Sequence, residues 1–151
     1  MSFIEPALEI IVLKLERLKP DSKPLWGSMS SQRMIEHLSD SVKLSCGDHS
    51  IPLQIPEEKV QWAQDFLKSD DPMPKNFEAI FAKKETGLRN NNIESAISDF
   101  KSDWRYFENH FKTSGSGKTL HPYFGELNFE LWKRMHSKHI THHLSQFGIG
   151  I

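Results

Sequence analysis

The sequence predicts an all-α protein: a four-helix bundle with an irregular insertion, holding one short helix, between the second and third long helices. Two observations carry this. Four segments place apolar residues three and four positions apart, the spacing of one helix face. No segment shows the apolar–polar alternation of a half-buried strand. Hydrophobic residues make up 37% and charged residues 26% of the 151 positions, which suits one folded domain over 1–151.

Ala7, Leu8, Ile11, Val12, Leu15 and Leu18 repeat at helical spacing, so the first helix is expected over residues 5–19. Pro6 is tolerated in its first turn, Glu5 and Glu9 suit its positive end, and Pro20 stops it. A turn-rich link, PDSKPLWGS, leads to a second helix with Ser30 as N-cap and Gly47 at its end. Its apolar stripe is Met34, Ile35, Leu38 and Val42, with His37 and Ser41 beside it. In the insertion, Pro56 opens a short helix reaching Leu67, with Val60, Ala63, Gln64 and Leu67 on one face. SDDPMPKNF and KKETGLRNNN read as loop.

The third long helix keeps Ile93, Ala96, Ile97, Phe100, Trp104, Phe107 and Phe111 on one face, a core stripe. Asn91 followed by Glu94 has the form of a capping box, and the Gly/Ser run TSGSGKT ends the helix. After the turn HPYFGELN, Asn128 caps the last helix and Glu130 lies in its first turn. Leu127 and Trp132 occupy hydrophobic-staple positions, and Gly148 stops the helix after Phe147.

Charge narrows the partners. Lys plus Arg number 19 against 20 Asp plus Glu, a formal net charge of -1, without the basic surplus of a nucleic-acid binder. The apolar N-terminal run is interrupted by Glu5, Glu9, Lys14, Glu16 and Arg17, so it is expected to be neither a leader nor a membrane span. The single cysteine, Cys46, excludes an intrachain disulfide and suits the cytoplasm. GSGKT at 115–119 imitates the end of a phosphate-binding loop. The motif requires glycine at 112, where Lys112 stands, and a strand where a helix precedes.

The chemistry concentrates in the histidines. MHSKHITHHL, residues 135–144, holds four of the eight. His139 and His143 are four apart and face the same way, about 6 Å apart along a helix axis. His136 shares that face but lies about 10 Å of rise from His143, too far for both to meet one ion at metal–nitrogen distances near 2 Å. His139 with His142 is an alternative pair at i, i+3. A further ligand must come from elsewhere. His37 sits mid-helix beside an apolar stripe, whereas His49 and His110 lie near helix ends among polar neighbours. His121, before Pro122, reads either as a residue shaping the loop or as part of a pocket rim. Ile140 stands where a zincin would carry its glutamate base, so the HxxxH pair is not of that kind.

WGSMSSQRMIEHL (26–38) and HPYFGELNFELWKRMHSKHITHHLSQFGI (121–149) resemble the DinB-like (DinB/YfiT-like) superfamily of metal-dependent hydrolases, nearest to a subgroup without an assigned reaction. The resemblance implies a bundle whose divalent ion is held by one histidine of the second helix and an HxxxH pair of the last. These fall on His37, His139 and His143. It also implies a frequent homodimer, and in some members a low-molecular-weight thiol used by a transferase or isomerase.

Three imidazoles with an open position describe a catalytic rather than a closed site, and zinc or nickel suits such ligands. The expected function is hydrolysis of a small molecule; thiol transfer and a purely structural metal are the alternatives. Glu36, Asp40 and Glu126 are the carboxylates near the ligands in sequence; each reads first as a solvated charge, and Asp40, one turn after His37, has support of a ligand N–H as its alternative. Cys46, nine residues after His37, is too distant to be the nucleophile.

Overall fold

The computed structural model describes residues 2–48, 50–75, 77, 87–115 and 117–151. His49, most of the loop after Lys75 and Ser116 of the GSGKT stretch lie outside the described residues. Among the described residues the chain is mostly helical, with five α-helices, one 3₁₀ turn and one small hairpin.

Helix α1 spans Leu8–Leu15, shorter than its periodicity predicts. The chain before it is committed elsewhere. Ile4 receives a hydrogen bond from Ser137 Oγ and donates its N–H to Thr141 Oγ1 at 2.9 Å, both on the last helix. Ala7 is extended and offers no capping side chain, so the helix starts only at Leu8. At the far end, i→i+3 bonds to Lys14 and Leu15 tighten the chain and bring Leu18 into the core.

Helix α2 (Ser31–Leu44) begins at the expected cap: Ser30 Oγ accepts the Arg33 N–H at 3.1 Å. The α-helix stops three residues before Gly47. Successive i→i+3 bonds carry the turn onward to that glycine, which takes φ +79°. Glu36 is almost fully buried on the side of α2 away from His37. Its carboxylate accepts the N–H of Arg89 at 2.8 Å and of Asn90 at 3.0 Å, with Gln32 Nε2 at 3.2 Å. Burial pushes its pKa up, but these bonds outweigh it and hold the group below the usual carboxylate range. Glu36 thereby fixes the segment that enters the next long helix. Glu36→Ala is expected to cost about 3 kcal/mol, read as a lower urea midpoint, because buried donors lose a charged acceptor.

The short insertion helix is present as a 3₁₀ turn (Glu57–Lys59) continued by α3 (Val60–Lys68). Its buried residues are Ala63 and Leu67, and Gln64 donates to the carbonyls of Phe124 and Glu126, both at 3.0 Å. Arg134 and Lys138, one turn apart on the last helix, receive the C-terminal end of α3. Arg134 donates to the Leu67 carbonyl at 2.8 Å, and the buried Lys138 Nζ to that of Asp71 at 2.5 Å.

Helix α4 (Ile93–Ser114) buries the predicted stripe entirely. Its cap is Asn92, not Asn91: Asn92 Oδ1 accepts the Ser95 N–H at 2.8 Å. The turn before the last helix is a hairpin, which corrects the all-α reading. β1 (Thr119–His121) pairs antiparallel with β2 (Gly125–Leu127), Leu120 opposite Glu126. Strands of three residues are too short for alternation to show in sequence. Gly125, at φ +76°, is required twice over, since a Cβ there would stand 2.6 Å from Val60 of α3. Helix α5 (Phe129–Gln146) follows, capped by Asn128 onto the Leu131 N–H at 3.0 Å. Both staple residues, Leu127 and Trp132, are fully buried.

Helix α2 lies along α4 and also meets α5, α3 packs on α5, and α1 on α4. One apolar cluster running from Ile4 to Ile149 fills the interior, with Phe100, Trp104, Phe107 and Trp132 at its centre. Thr119 Oγ1 ties three elements together: it donates to the Ser45 carbonyl at 2.6 Å and accepts Trp132 Nε1–H at 2.7 Å. Among the described residues, no helix is long and apolar enough to cross a membrane.

Candidate metal centre

The i, i+4 spacing on α5 and the position of His37 on α2 bring three histidines together. His139 Nε2 lies 3.0 Å from His37 Nε2 and 3.1 Å from His143 Nε2. One nitrogen from each ring falls within 4.8 Å of the other two, close enough for the three to hold a metal ion. Tetrahedral ligands bonded at about 2.0–2.1 Å are themselves about 3.3 Å apart, near the two short separations here.

The tautomers can be worked out from the surroundings. Gln146 Nε2 donates to the Trp26 carbonyl at 2.9 Å, which leaves Gln146 Oε1 facing His143 Nδ1 at 2.8 Å. His143 therefore carries its proton on Nδ1 and presents a lone pair at Nε2. His139 Nε2 can donate one proton, toward one neighbour only, while it touches two. A cation among the three rings satisfies every lone pair at once. His139 Nδ1 is buried, with no hydrogen-bond partner among the described residues. The donor set fits a late first-row divalent ion.

Burial is the main cause that keeps the rings neutral, the form that binds metal. It pushes His37 down to about 3, with His143, Arg33 and His142 adding to the effect. His139 is held well below the ordinary range by burial and by its histidine neighbours. His143 falls to about 4, burial being partly opposed by the Gln146 bond.

Gln146 was not legible as part of the site, although its place three residues after His143 was a signal of sorts. Its backbone carbonyl also receives the Leu25 N–H at 2.7 Å, so the loop before α2 and the end of α5 are joined here. Gln146→Leu is expected to keep the fold and weaken metal affinity by about 10–100-fold, measured by competition with a chromophoric chelator.

The other candidates separate cleanly. His136 is buried in the aromatic core, stacked on Trp132 at 5.5 Å and edge-on to Phe107 at 5.0 Å. His121 does both things expected of it: its Nδ1 accepts the Tyr123 N–H at 3.0 Å, shaping the hairpin turn, and its ring lines the cavity. His142 is half-buried on that same wall but outside the cluster, and His110 sits on α4 against Phe111. Asp40 does not support a ligand. It bonds Arg89 Nη1 at 2.7 Å, because the segment fixed by Glu36 delivers that guanidinium to it. Glu126 is exposed on β2. Cys46 is buried with its thiol pushed up to about 11 by burial and by Asp48, which removes it as a nucleophile.

The cluster opens on a cavity of about 900 Å³ walled by α2, α3, the hairpin and α5. Fold and site together define a mostly helical protein with an interhelical histidine cluster able to hold a metal ion. The chain belongs to the family described as "Protein of unknown function (DUF1569)", whose profile it matches over residues 2–148. No curated protein and no solved structure matches it.

Proposed function

We propose that the protein is a metal-dependent hydrolase of a small molecule, with one divalent ion on His37, His139 and His143 in a four-helix bundle of the DinB-like kind. The observation that supports this best is His139 Nε2, in contact with two other imidazole nitrogens that its single proton cannot both serve. A bound zinc or nickel ion supplies Lewis acidity there and lowers the pKa of a water toward neutrality. The chain's own residues hold the three rings neutral, fix the His143 tautomer through Gln146, and enclose the substrate in the adjoining cavity.

One feature supports a second reading. Among the described residues lining the cavity there is no Asp or Glu to act as general base. A cosubstrate thiol needs none, because the ion itself favours the thiolate, which makes a thiol-dependent transferase the alternative. The cobalt-loaded protein separates the readings. Turnover in a panel of small esters, amides and lactones supports the hydrolase. A sulfur-to-cobalt charge-transfer band on adding a simple thiol supports the transferase. A visible spectrum that responds to neither anions nor thiols, without turnover, would leave the ion as a closed staple and sink both.

A further inference from the structure

Helix α2 presents a polar row to the cavity. Arg33, His37 and Ser41 follow at i, i+4 and i+8, each about 6 Å along the axis from the next, and all three line the same wall. His37 belongs to the histidine cluster; on either side of it, Arg33 Nη1 and Ser41 Oγ are buried polar groups that the fold leaves without a hydrogen bond among the described residues. Ser41 is 1% exposed. The only ion pair of Arg33 among the described residues is with Asp40 Oδ2 at 3.9 Å, while Asp40 is held at 2.7 Å by Arg89. Arg33 Nη1 alone carries two N–H donors, and leaving them unanswered in a buried wall is costly unless something arrives to accept them.

The rest of the cavity agrees in sign. Its other lining cations are Lys59 and Lys75, and no carboxylate lines it among the described residues. Its remaining wall is largely apolar, with Trp26, Trp62, Phe66, Tyr123 and Phe124 among the aromatic residues. Lys75 Nζ lies 4.3 Å over the Trp26 ring, so positive charge and aromatic surface are adjacent at one side.

We infer that the cavity takes a small amphipathic anion, its acid group held by Arg33 one turn from the histidine cluster and its apolar body against the aromatic wall. This deepens the reading above and rests on the cluster being the reactive centre. Ser41 supplies a hydrogen bond on the opposite side of His37. The acid group is a carboxylate or a phosphate, since a guanidinium receives either in the same forked geometry.

The test is binding by calorimetry to the zinc-loaded full chain, with phenylacetate against phenylacetamide, and phenyl phosphate against phenol. Metal content is measured on the same samples. The wild type is expected to bind an anion at least about tenfold more tightly than its neutral counterpart. Which pair shows the preference identifies the acid group. Arg33→Gln should lose that preference with metal content unchanged, and Arg33→Lys should restore part of it, which guards against a folding defect. Direct ligation of the ion by the anion is the competing explanation, and it predicts that Arg33→Gln keeps the preference; that result overturns the inference. Equal binding of anion and neutral probe, or no binding of any probe at millimolar concentration, overturns it too. A chain that holds no ion yet prefers anions through Arg33 would support the anion site while removing the metal reading, so the two fail separately.

Discussion

Truncating His37, His139 or His143 to alanine is expected to abolish retention of a divalent ion, of which the wild-type chain is expected to keep about one per molecule. The size of the effect follows from the ligand count. Losing a residue that only orients a ligand costs about 10–100-fold in affinity, and losing one of three protein ligands costs more. In the His143 variant Gln146 Oε1 also loses its partner, while Gln146 Nε2 keeps the Trp26 carbonyl and the loop before α2 stays attached. Elemental analysis of untagged protein reads the outcome directly, with His110→Ala on α4 as a variant that should keep its ion. A second readout follows from linkage. An ion present at about 1,000 times its dissociation constant stabilises the folded state by about 4 kcal/mol, so zinc should raise the wild-type Tm and leave the ligand variants unmoved. A wild-type chain that holds no ion and takes up none on adding zinc or nickel would end the metal reading.

How much of this could be read from the sequence depends on the range of the interactions involved. The long helices were legible because their signals are local: Ser30 and Asn128 cap as their types suggest, and the α4 stripe from Ile93 to Phe111 is wholly buried. The histidine trio was legible for a related reason, since i, i+4 geometry makes His139 and His143 neighbours and leaves one ligand to be found. What was missed depends on partners distant in the chain. Helix α1 is shortened because Ile4 is tied to Ser137 and Thr141, more than 130 residues away. Sequence proximity left Asp40 either a solvated charge or a support for a ligand N–H, but Arg89, 49 residues off, takes it. The hairpin escaped because three-residue strands carry no periodic signal, and its close approach to α3 shows only at Gly125. Glu94 pointed to Asn91 as the α4 cap, but the helix starts one residue later and Asn92 Oδ1 accepts the Ser95 N–H instead.

Mild acid is expected to destabilise the protein steeply, and two histidines outside the metal centre are enough to show why. His121 and His136 are both pushed down to about 3 in the folded protein, chiefly by burial. In the unfolded chain each returns to about 6.5. Below that value the unfolded state binds more protons than the folded one, so the stability these residues contribute is complete above about pH 6.5. It is lost progressively as pH falls toward about 3. Each residue accounts for up to about 1.4 kcal/mol per pH unit, so the pair removes about 5 kcal/mol between about pH 6.5 and 4.5. That is comparable with the whole stability of an ordinary domain. An ion on the cluster acts in the same direction, because protons compete with it for the imidazoles. Urea midpoints measured from about pH 7.5 down to about pH 4.5 test the slope. His136→Phe isolates one term: its ring sits among Trp104, Phe107 and Trp132, and its Nε2 has no hydrogen-bond partner among the described residues. A phenyl ring fits an aromatic environment without a titrating nitrogen, so this variant should match the wild type near neutrality and lose stability more slowly in acid. A slope unchanged by His136→Phe would mean that the imidazole is protonated within the core, and that burial does not hold it neutral.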